Sequence, residues 1–516
     1  MHARNAESHF MPGNDQSLHC FHSDDASKHS NIQSVTGQMQ FCTLESSLAA
    51  ANYPIHSLPS SLNISPNTGS PVSQQDSHSD NAYGSPISAS CVTGDPNDLK
   101  GKLRELENAM LETDLGITEG FENNYPGHIS LEPEKWRQMT GIPRDLRQYL
   151  IACARAIEDN DLVSVEWLIA ELKEMVSVSG EPIQRLGAYL LEGLIARLNS
   201  SGSSIYKALN CKEPVSSELL SYMHMLYEVC PYYKFGYLSA NGAIAEAVKG
   251  ESMVHIIDFQ IAQGSQWVTL IQALATRPGG PPHIKITGID DPFNAHARGG
   301  GLHIVGQRLS QLAEAYNLPF EFHGCSISCS DVEIEHLDIR PGEALAVNFA
   351  LQLHHVPDES VSTKNHRDRI LRMVKSLSPK VVTLVEQESN TNTAAFFPRF
   401  VEAFDYYTAV FESIDVTLPR ESKERINVEQ HCLARDIVNV IACEGAERVE
   451  RHELFGKWSS RFTMAGFKPY PLSSMVNATI KTLLQNYCEH YRLEERGGVL
   501  YLGWMNKPLV FSCAWR

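Results

Sequence analysis

From residue 254 onward, short apolar runs alternate with amphipathic helical segments. The runs lack the alternating polar positions of a strand that has one wetted face, which indicates strands buried on both faces. Such strands, separated by helices, predict a doubly wound parallel sheet of the α/β class. The predicted strands are Val254–Phe259, Ile284–Ile289, Phe320–His323, Ala344–Phe349 and Val381–Glu386.

Helices precede this segment, and short strands follow it. Apolar residues at helical spacing predict a helical cap over residues 143–250, so that the α/β core occupies residues 251–516. Near the C-terminus, Gly497-Gly498 and Asn506-Lys507-Pro508 separate apolar runs, as turns do between antiparallel strands. The other predicted elements are helices at 397–411, 427–442, 453–465 and 474–487 and strands at 491–494, 499–504 and 509–514.

Rows of leucine in the cap allow two interpretations. Leu186, Leu190 and Leu194 recur every four residues, and Leu168 and Leu226 lie on apolar faces of neighbouring segments. Several amphipathic helices in a thin cap need more covering surface than they offer one another, so these leucines are a candidate surface for a partner helix or a homodimer. The alternative is that the rows face the core of their own bundle.

The first 95 residues differ in composition from the rest. Residues 1–90 contain 19 serines and no sustained apolar periodicity, so they bury too little surface to offset the entropy of ordering. We therefore predict a disordered acidic tail over residues 1–95 and a helix-containing linker over residues 96–142. One apolar island, Phe41–Leu48, is either a docking peptide that folds on binding or a chance cluster.

Charge, hydropathy and cysteine usage exclude several function classes. The formal net charge of −18 argues against general binding to a nucleic-acid backbone. We expect neither a membrane span nor a signal peptide, because no apolar run is long enough and the start is polar. The twelve scattered cysteines form no CxxC pair, which indicates reduced thiols of the cytosol or nucleus.

Candidate reactive groups are equally sparse. Cys325 and Cys329, near His323, lack the spacing of a zinc site. His354 and His355 are adjacent, and in an extended chain their side chains would point to opposite faces. No Ser–His–Asp or paired-carboxylate arrangement stands out from chance combinations. We therefore expect no catalytic residue and no metal site.

The strongest candidate for ligand chemistry is the pair Asp258 and Asp290, at the ends of successive strands. In nucleotide-binding folds, the first loop lies on the phosphate or ribose and the second acid binds the ribose hydroxyls. Such a binding site needs closely spaced glycines, so that the backbone can approach the ligand. The loop after Asp258 contains one glycine, Gly264, and its other side chains are mostly long. We therefore expect both carboxylates to cap loops, and we expect no cofactor. The alternative is a small-ligand or methyltransferase-like site near the two carboxylates.

Ordered motifs over about residues 145–516 closely resemble the GRAS family of plant regulatory proteins. The family's VHIID motif is intact as Val254, His255, Ile256, Ile257 and Asp258. Residues 380–444 resemble its PFYRE region, with Arg435-Asp436 in place of an Arg-Glu pair. The C-terminal SAW region is represented by Trp504, Cys513, Ala514 and Trp515, with Cys513 in place of a serine.

The resemblance also narrows the branch of the family. Phe41–Ser47, Leu103–Met110 and Ser179–Tyr206 resemble the phytochrome-A signal transduction branch, which includes SCARECROW-like proteins. The resemblance implies a Rossmann-like, methyltransferase-like fold without methyl transfer, in a nuclear and also cytoplasmic regulator of transcription. The implied partners are DNA-binding transcription factors and other GRAS proteins, and direct DNA contact stays open. The implied setting is development and light, hormone or stress signalling.

Overall fold

The computed structural model describes residues 145–516, except residues 205–206, 208, 210–213, 215 and 292–300. Helices precede the first strand of this described part. Asp145 and Asp161 begin the first two helices, because each side chain accepts a hydrogen bond from a free amide of the first turn. Pro182 begins the third, at a position that needs no amide donor. The helices are α1 (Leu146–Glu158), α2 (Leu162–Met175), α3 (Pro182–Leu198), α4 (Ser216–Val229) and α5 (Tyr232–Ala247).

A mixed sheet forms the centre of the molecule. Its strands are β1 (Met253–Asp258), β2 (His283–Asp290), β3 (Phe320–Ser326), β4 (Ala344–Ala350), β5 (Val381–Gln387), β6 (Pro469–Tyr470), β7 (Tyr491–Arg496), β8 (Val499–Trp504) and β9 (Lys507–Trp515). They are arranged in the order β3-β2-β1-β4-β5-β9-β8-β7, and β6 pairs with β9. β1 to β5 are parallel, whereas β9 lies antiparallel between β5 and β8. This is the Rossmann-like, methyltransferase-like arrangement, so the predicted fold class is confirmed.

Helices cover both faces of the sheet. The later helices are α6 (Ser265–Ala275), α7 (Gly301–Ala315), α8 (His366–Ser376), α9 (Phe396–Asp415), α10 (Lys423–Val428), α11 (Ala434–Ala442), α12 (Phe455–Met464) and α13 (Ser474–Leu484). Successive side chains of a strand point to opposite faces. On β5, Val381 and Val385 therefore join the larger core, which continues into α1–α5, while Val382 and Leu384 join the smaller core with α8 and α12.

The helical cap draws on two parts of the chain. α9 and α11 pack against α3, although they follow β5 in the sequence. At Gly193 of α3, a Cβ atom would lie 3.2 Å from Cβ of Ile441 in α11, so the glycine allows the two helices to approach closely. The packing of the cap therefore extends beyond the predicted range of residues 143–250.

One predicted helix is interrupted. The sequence predicts a continuous helix over residues 427–442, whereas α10 ends at Val428 and a π-helical turn, Glu429–Leu433, precedes α11. Glu429 is buried and contacts two buried guanidinium groups, those of Arg185 and Arg425. Single π-turns often appear where a side chain has a specific task, and here the turn accompanies a buried ion pair.

Several predictions concern residues that the structure does not describe. The disordered tail over residues 1–95, the linker over residues 96–142 and the docking peptide at Phe41–Leu48 all lie outside the described residues. Within the described part, no helix is both long and apolar enough to cross a membrane.

Candidate functional site

The VHIID motif forms β1, which pairs with β2 on one side and β4 on the other. Its aliphatic residues are at most 1% exposed. His255 is buried as well: Nδ1 lies 2.8 Å from Oε2 of Glu343, and Nε2 lies 2.8 Å from Oγ1 of Thr287. Burial lowers the pKa of His255 to about 4. The imidazole therefore links β1 to β2 and to the segment before β4 as a neutral, structural group.

Asp258 ends β1 and is 1% exposed. Its Oδ1 accepts hydrogen bonds from Nδ2 of Asn348 at 3.0 Å and from the amide of Gln260 at 3.2 Å, and Oδ2 accepts one from Nε1 of Trp267 at 2.8 Å. Burial raises the pKa of Asp258 to about 6, and these hydrogen bonds oppose the rise. The predicted loop cap is present at Gln260, and the bonds to Trp267 and Asn348 add contacts to α6 and β4.

The chain's own side chains fill the crevice between the ends of β1 and β2. Ile261 is 3% exposed, and its amide donates to the carbonyl oxygen of Ile289 at 3.1 Å. A Cβ atom on Gly288 of β2 would lie only 2.9 Å from Cγ1 of Ile261. Trp267 is fully buried beside this loop. A nucleotide needs exposed backbone at this point, and here aliphatic and aromatic side chains cover it.

A buried group of opposite charges joins the cap to later segments. We call Arg185, Asp415, Arg425 and Glu429 the arginine clamp. Nη1 of Arg185 lies 2.7 Å from Oδ1 of Asp415 at the end of α9, and Nε lies 3.1 Å from Oε1 of Glu429. Arg425 contacts the other carboxylate oxygen of Glu429. The clamp therefore fixes α3 to the π-helical turn and to α9.

A second buried polar group lies beyond the carboxyl ends of β4 and β5. We call His354, His355, Glu386, Glu450 and His452 the histidine cluster. Nδ1 of His354 lies 2.5 Å from Oε2 of Glu386, and Nε2 lies 3.3 Å from Oε2 of Glu450. His355 and His452 also approach Glu450, at 3.1 and 3.4 Å.

The sequence argument about His354 and His355 holds only for an extended chain, and the chain is not extended here. The two residues lie in a 3₁₀ turn rather than in an extended strand, and their ring centroids are 4.0 Å apart. Both therefore reach the carboxylate of Glu450. The position of Glu386 in the sequence could have indicated this cluster. Glu386 lies near the end of β5, which pairs in parallel with β4, and the histidines follow β4.

The sequence matches the GRAS domain family over residues 146–516. The chain belongs to the GRAS domain family. Chitin-inducible gibberellin-responsive protein 2 of Oryza sativa subsp. japonica is 66% identical to it over 461 residues, which cover 89% of this chain and 85% of the relative. Scarecrow-like transcription factor PAT1 of Arabidopsis thaliana is 68% identical over 431 residues, covering 83% and 88%.

A solved structure supports the fold. The crystal structure of SCL7 in Oryza sativa has a TM-score of 0.64 to this chain at 35% identity, covering 72% of this chain and all of that one. The family match and these relatives together show that the chain is a scarecrow-like GRAS regulator of transcription, and not an enzyme. The filled crevice at Ile261 and Trp267 accords with that assignment.

The SAW region of this GRAS protein is interior. Trp504, Cys513, Ala514 and Trp515 are all at most 3% exposed. Cys513 replaces the serine in β9, and its Sγ accepts a hydrogen bond from Nε1 of Trp515 at 3.2 Å. Burial raises the pKa of the Cys513 thiol to about 12. Nε1 of Trp504 donates to Glu412 of α9 at 3.2 Å. The motif therefore holds the antiparallel end of the sheet against its neighbours.

The expected partner surface on the leucine rows is wrong for this structure. Leu186, Leu190 and Leu194 are 0% exposed, Leu168 is 3% exposed and Leu226 is 6% exposed. All five belong to the larger core, which also contains side chains of α9 and α11. Helices from the PFYRE region cover the rows that the local sequence leaves without a partner.

Proposed function

We propose that this GRAS protein regulates transcription by binding DNA-binding transcription factors and other GRAS proteins, without chemistry at the ends of β1 and β2. The filled crevice is the observation that supports this proposal. Asp258 already accepts hydrogen bonds from Trp267, Asn348 and Gln260, so no oxygen of this carboxylate is left without a donor. The net charge of −18 disfavours binding led by DNA phosphates, so a partner supplies the contact with DNA.

We also propose a nuclear location with a cytoplasmic pool, and a role in light, hormone or stress signalling. The names of two relatives support the hormone or stress setting and a role in transcription: one is called chitin-inducible and gibberellin-responsive, and the other a scarecrow-like transcription factor. The resemblance to the phytochrome-A branch supports the light setting. A fluorescent fusion of the full chain, followed in cells before and after gibberellin or light treatment, tests both statements. Exclusion from the nucleus under every condition would contradict them.

A promoter-tethering assay tests the mode of action. The full chain is fused to a heterologous DNA-binding domain and compared with the unfused chain on the same reporter. We expect the reporter to respond to the fusion and to stay unchanged with the unfused chain. In parallel, the purified chain is incubated with a pool of random DNA sequences. Selection of a defined sequence by the chain alone would overturn the partner-mediated mode.

Calorimetry tests the methyltransferase-like alternative. Adenosylmethionine and adenosylhomocysteine are titrated into the full wild-type chain and into Ile261→Gly, which removes the side chain that covers Gly288. We expect no saturable heat with the wild type, because Ile261 and Trp267 occupy the crevice. Saturable binding by the wild type that Asp258→Asn abolishes would favour the alternative instead.

A further inference from the structure

The donor atoms of the histidine cluster have the spacing of a metal site. His354, Glu450 and His452 each offer a donor atom, and these three atoms lie within 4.8 Å of one another. In a tetrahedral zinc site with bonds of about 2.05 Å, neighbouring donors are about 3.3 Å apart. Oε2 of Glu450 lies 3.3 Å from Nε2 of His354 and 3.4 Å from Nε2 of His452. Two edges of the donor triangle thus match the zinc geometry.

The surroundings of the donors point to the same conclusion. Nδ1 of His452 is held by Oγ1 of Thr391 at 3.0 Å, so its buried Nε2 faces Oε2 of Glu450 at 3.4 Å, which is too long for a well-made hydrogen bond. A cation between these two atoms would satisfy both. Nδ1 of His354 lies 2.5 Å from Oε2 of Glu386. Metal-bound histidines characteristically have such a carboxylate on the opposite ring nitrogen.

We propose that the histidine cluster binds a divalent transition metal of the zinc type. His354, Glu450 and His452 are the ligands, and Glu386 and Thr391 orient the two buried rings. His355 lies at the solvent side, with Nε2 3.1 Å from Oε1 of Glu450 and a side chain that is 37% exposed. It marks the side from which an ion would enter, and the fourth ligand would come from solvent.

The bound ion would have a structural role. It would tie the 3₁₀ turn after β4 to residues 450–452, which connect the cap helix α11 to α12. Nitrogen and carboxylate donors suit Zn²⁺ better than the oxygen-preferring Mg²⁺ or Ca²⁺. Metal binding also displaces the proton that Nε2 of His354 would otherwise share with Glu450, so binding releases protons.

The test uses the full chain, purified with a tag that contains no histidine and freed of metal by a chelating resin. Zn²⁺ is titrated in with elemental analysis of the bound ion, and Co²⁺ serves as a visible-light probe of tetrahedral coordination. We expect one tight site and a tetrahedral Co²⁺ spectrum. His452→Ala and Glu450→Gln should lose both signals, and Glu386→Gln should weaken binding 10- to 100-fold.

Two controls separate the cluster from other sites. Eight histidines lie before residue 145 and offer weak binding that every variant shares, so only the difference from wild type counts. His431→Ala removes another buried histidine, one whose ring stacks on Tyr222 at 5.2 Å, and should keep the full Co²⁺ spectrum. Circular dichroism reports whether each variant is folded.

A wild-type chain with no tetrahedral Co²⁺ spectrum would overturn the proposal, whatever the variants do. So would folded His452→Ala that binds as much Zn²⁺ as wild type. Either result would leave the cluster as a network of hydrogen bonds and ion pairs around Glu386 and Glu450.

Discussion

Arg185 offers the sharpest test of how the cap is attached. Its fully buried guanidinium contacts Asp415 at 2.7 Å and Glu429 at 3.1 and 3.3 Å, and also donates to the carbonyl oxygen of Gly180 at 3.0 Å. Arg185→Met preserves much of the volume and removes all of these bonds. Glu429 then keeps Arg425 as its remaining guanidinium partner in the clamp. Breaking one side of a buried ion pair costs about 3–5 kcal/mol of unfolding free energy.

A double-mutant cycle measures the coupling energy between Arg185 and Glu429 in the clamp. Arg185→Met, Glu429→Gln and the double variant of the full chain are unfolded in urea and followed by circular dichroism. Because each single change takes one of its partners from a buried charge, the double variant should lose less than the sum, with a coupling energy of about 1–3 kcal/mol.

Arg197→Met is the matched control on the same helix. Its guanidinium contacts Glu444 at 2.8 Å, but the two side chains are 22% and 50% exposed, so the loss should stay below about 1 kcal/mol. Equal losses for Arg185→Met and Arg197→Met, or strict additivity in the cycle, would refute the idea that the clamp is a coupled buried unit.

Three further predictions address the core, the VHIID carboxylate and the SAW thiol. Leu190→Glu should cost more than about 3 kcal/mol and unfold the cap in circular dichroism, whereas Leu162→Glu, at a position 61% exposed, should leave the spectrum unchanged. Burial raises the pKa of Asp258 from 3.8 to about 6, so its stabilising contribution is full below pH 3.8 and is lost as the pH rises through 6. The unfolding free energy of the wild type, measured by urea unfolding, should therefore fall by about 2 kcal/mol between pH 4 and pH 7. In Asp258→Asn this fall should be absent. Cys513 should resist iodoacetamide in the native chain while the partly exposed Cys488 reacts, as mass spectrometry of the labelled peptides will show.

The centre of the sheet could be predicted from the sequence because β1, β2, β4 and β5 are buried on both faces. Each residue of β4 is buried, and the run Ala344–Ala350 is apolar except for Asn348, so it stands out in the sequence. Differences remain: β9 begins at Lys507 rather than at Leu509, because Lys507 and Pro508 already pair with β8, and the two-residue strand β6 was not predicted. A strand that is buried on both faces needs consecutive apolar residues, and such a run can be recognised in the sequence without knowledge of the rest of the fold.

The polar clusters could not be predicted in the same way. Arg185 and Glu429 are 244 residues apart, and each, taken alone, looks like an ordinary surface charge. The partner surface expected on the leucine rows was wrong for a related reason, because the helices that cover Leu190 and Leu194 follow β5 in the sequence. Pairing between distant segments leaves no periodicity in either segment, so only the folded arrangement reveals it.

The place of β9 has a consequence for synthesis. Until β9 pairs with it, β5 is the edge strand of the parallel sheet. Val382 and Trp515 are partners in this pairing, but the ribosome adds Trp515 long after Val382. Meanwhile the apolar β5 exposes an open strand edge, which invites pairing with other chains. We expect nascent chains to depend on chaperones during this interval. Substitutions in β9 should then lower the yield of protein in cells more than they lower the stability of molecules that have already folded.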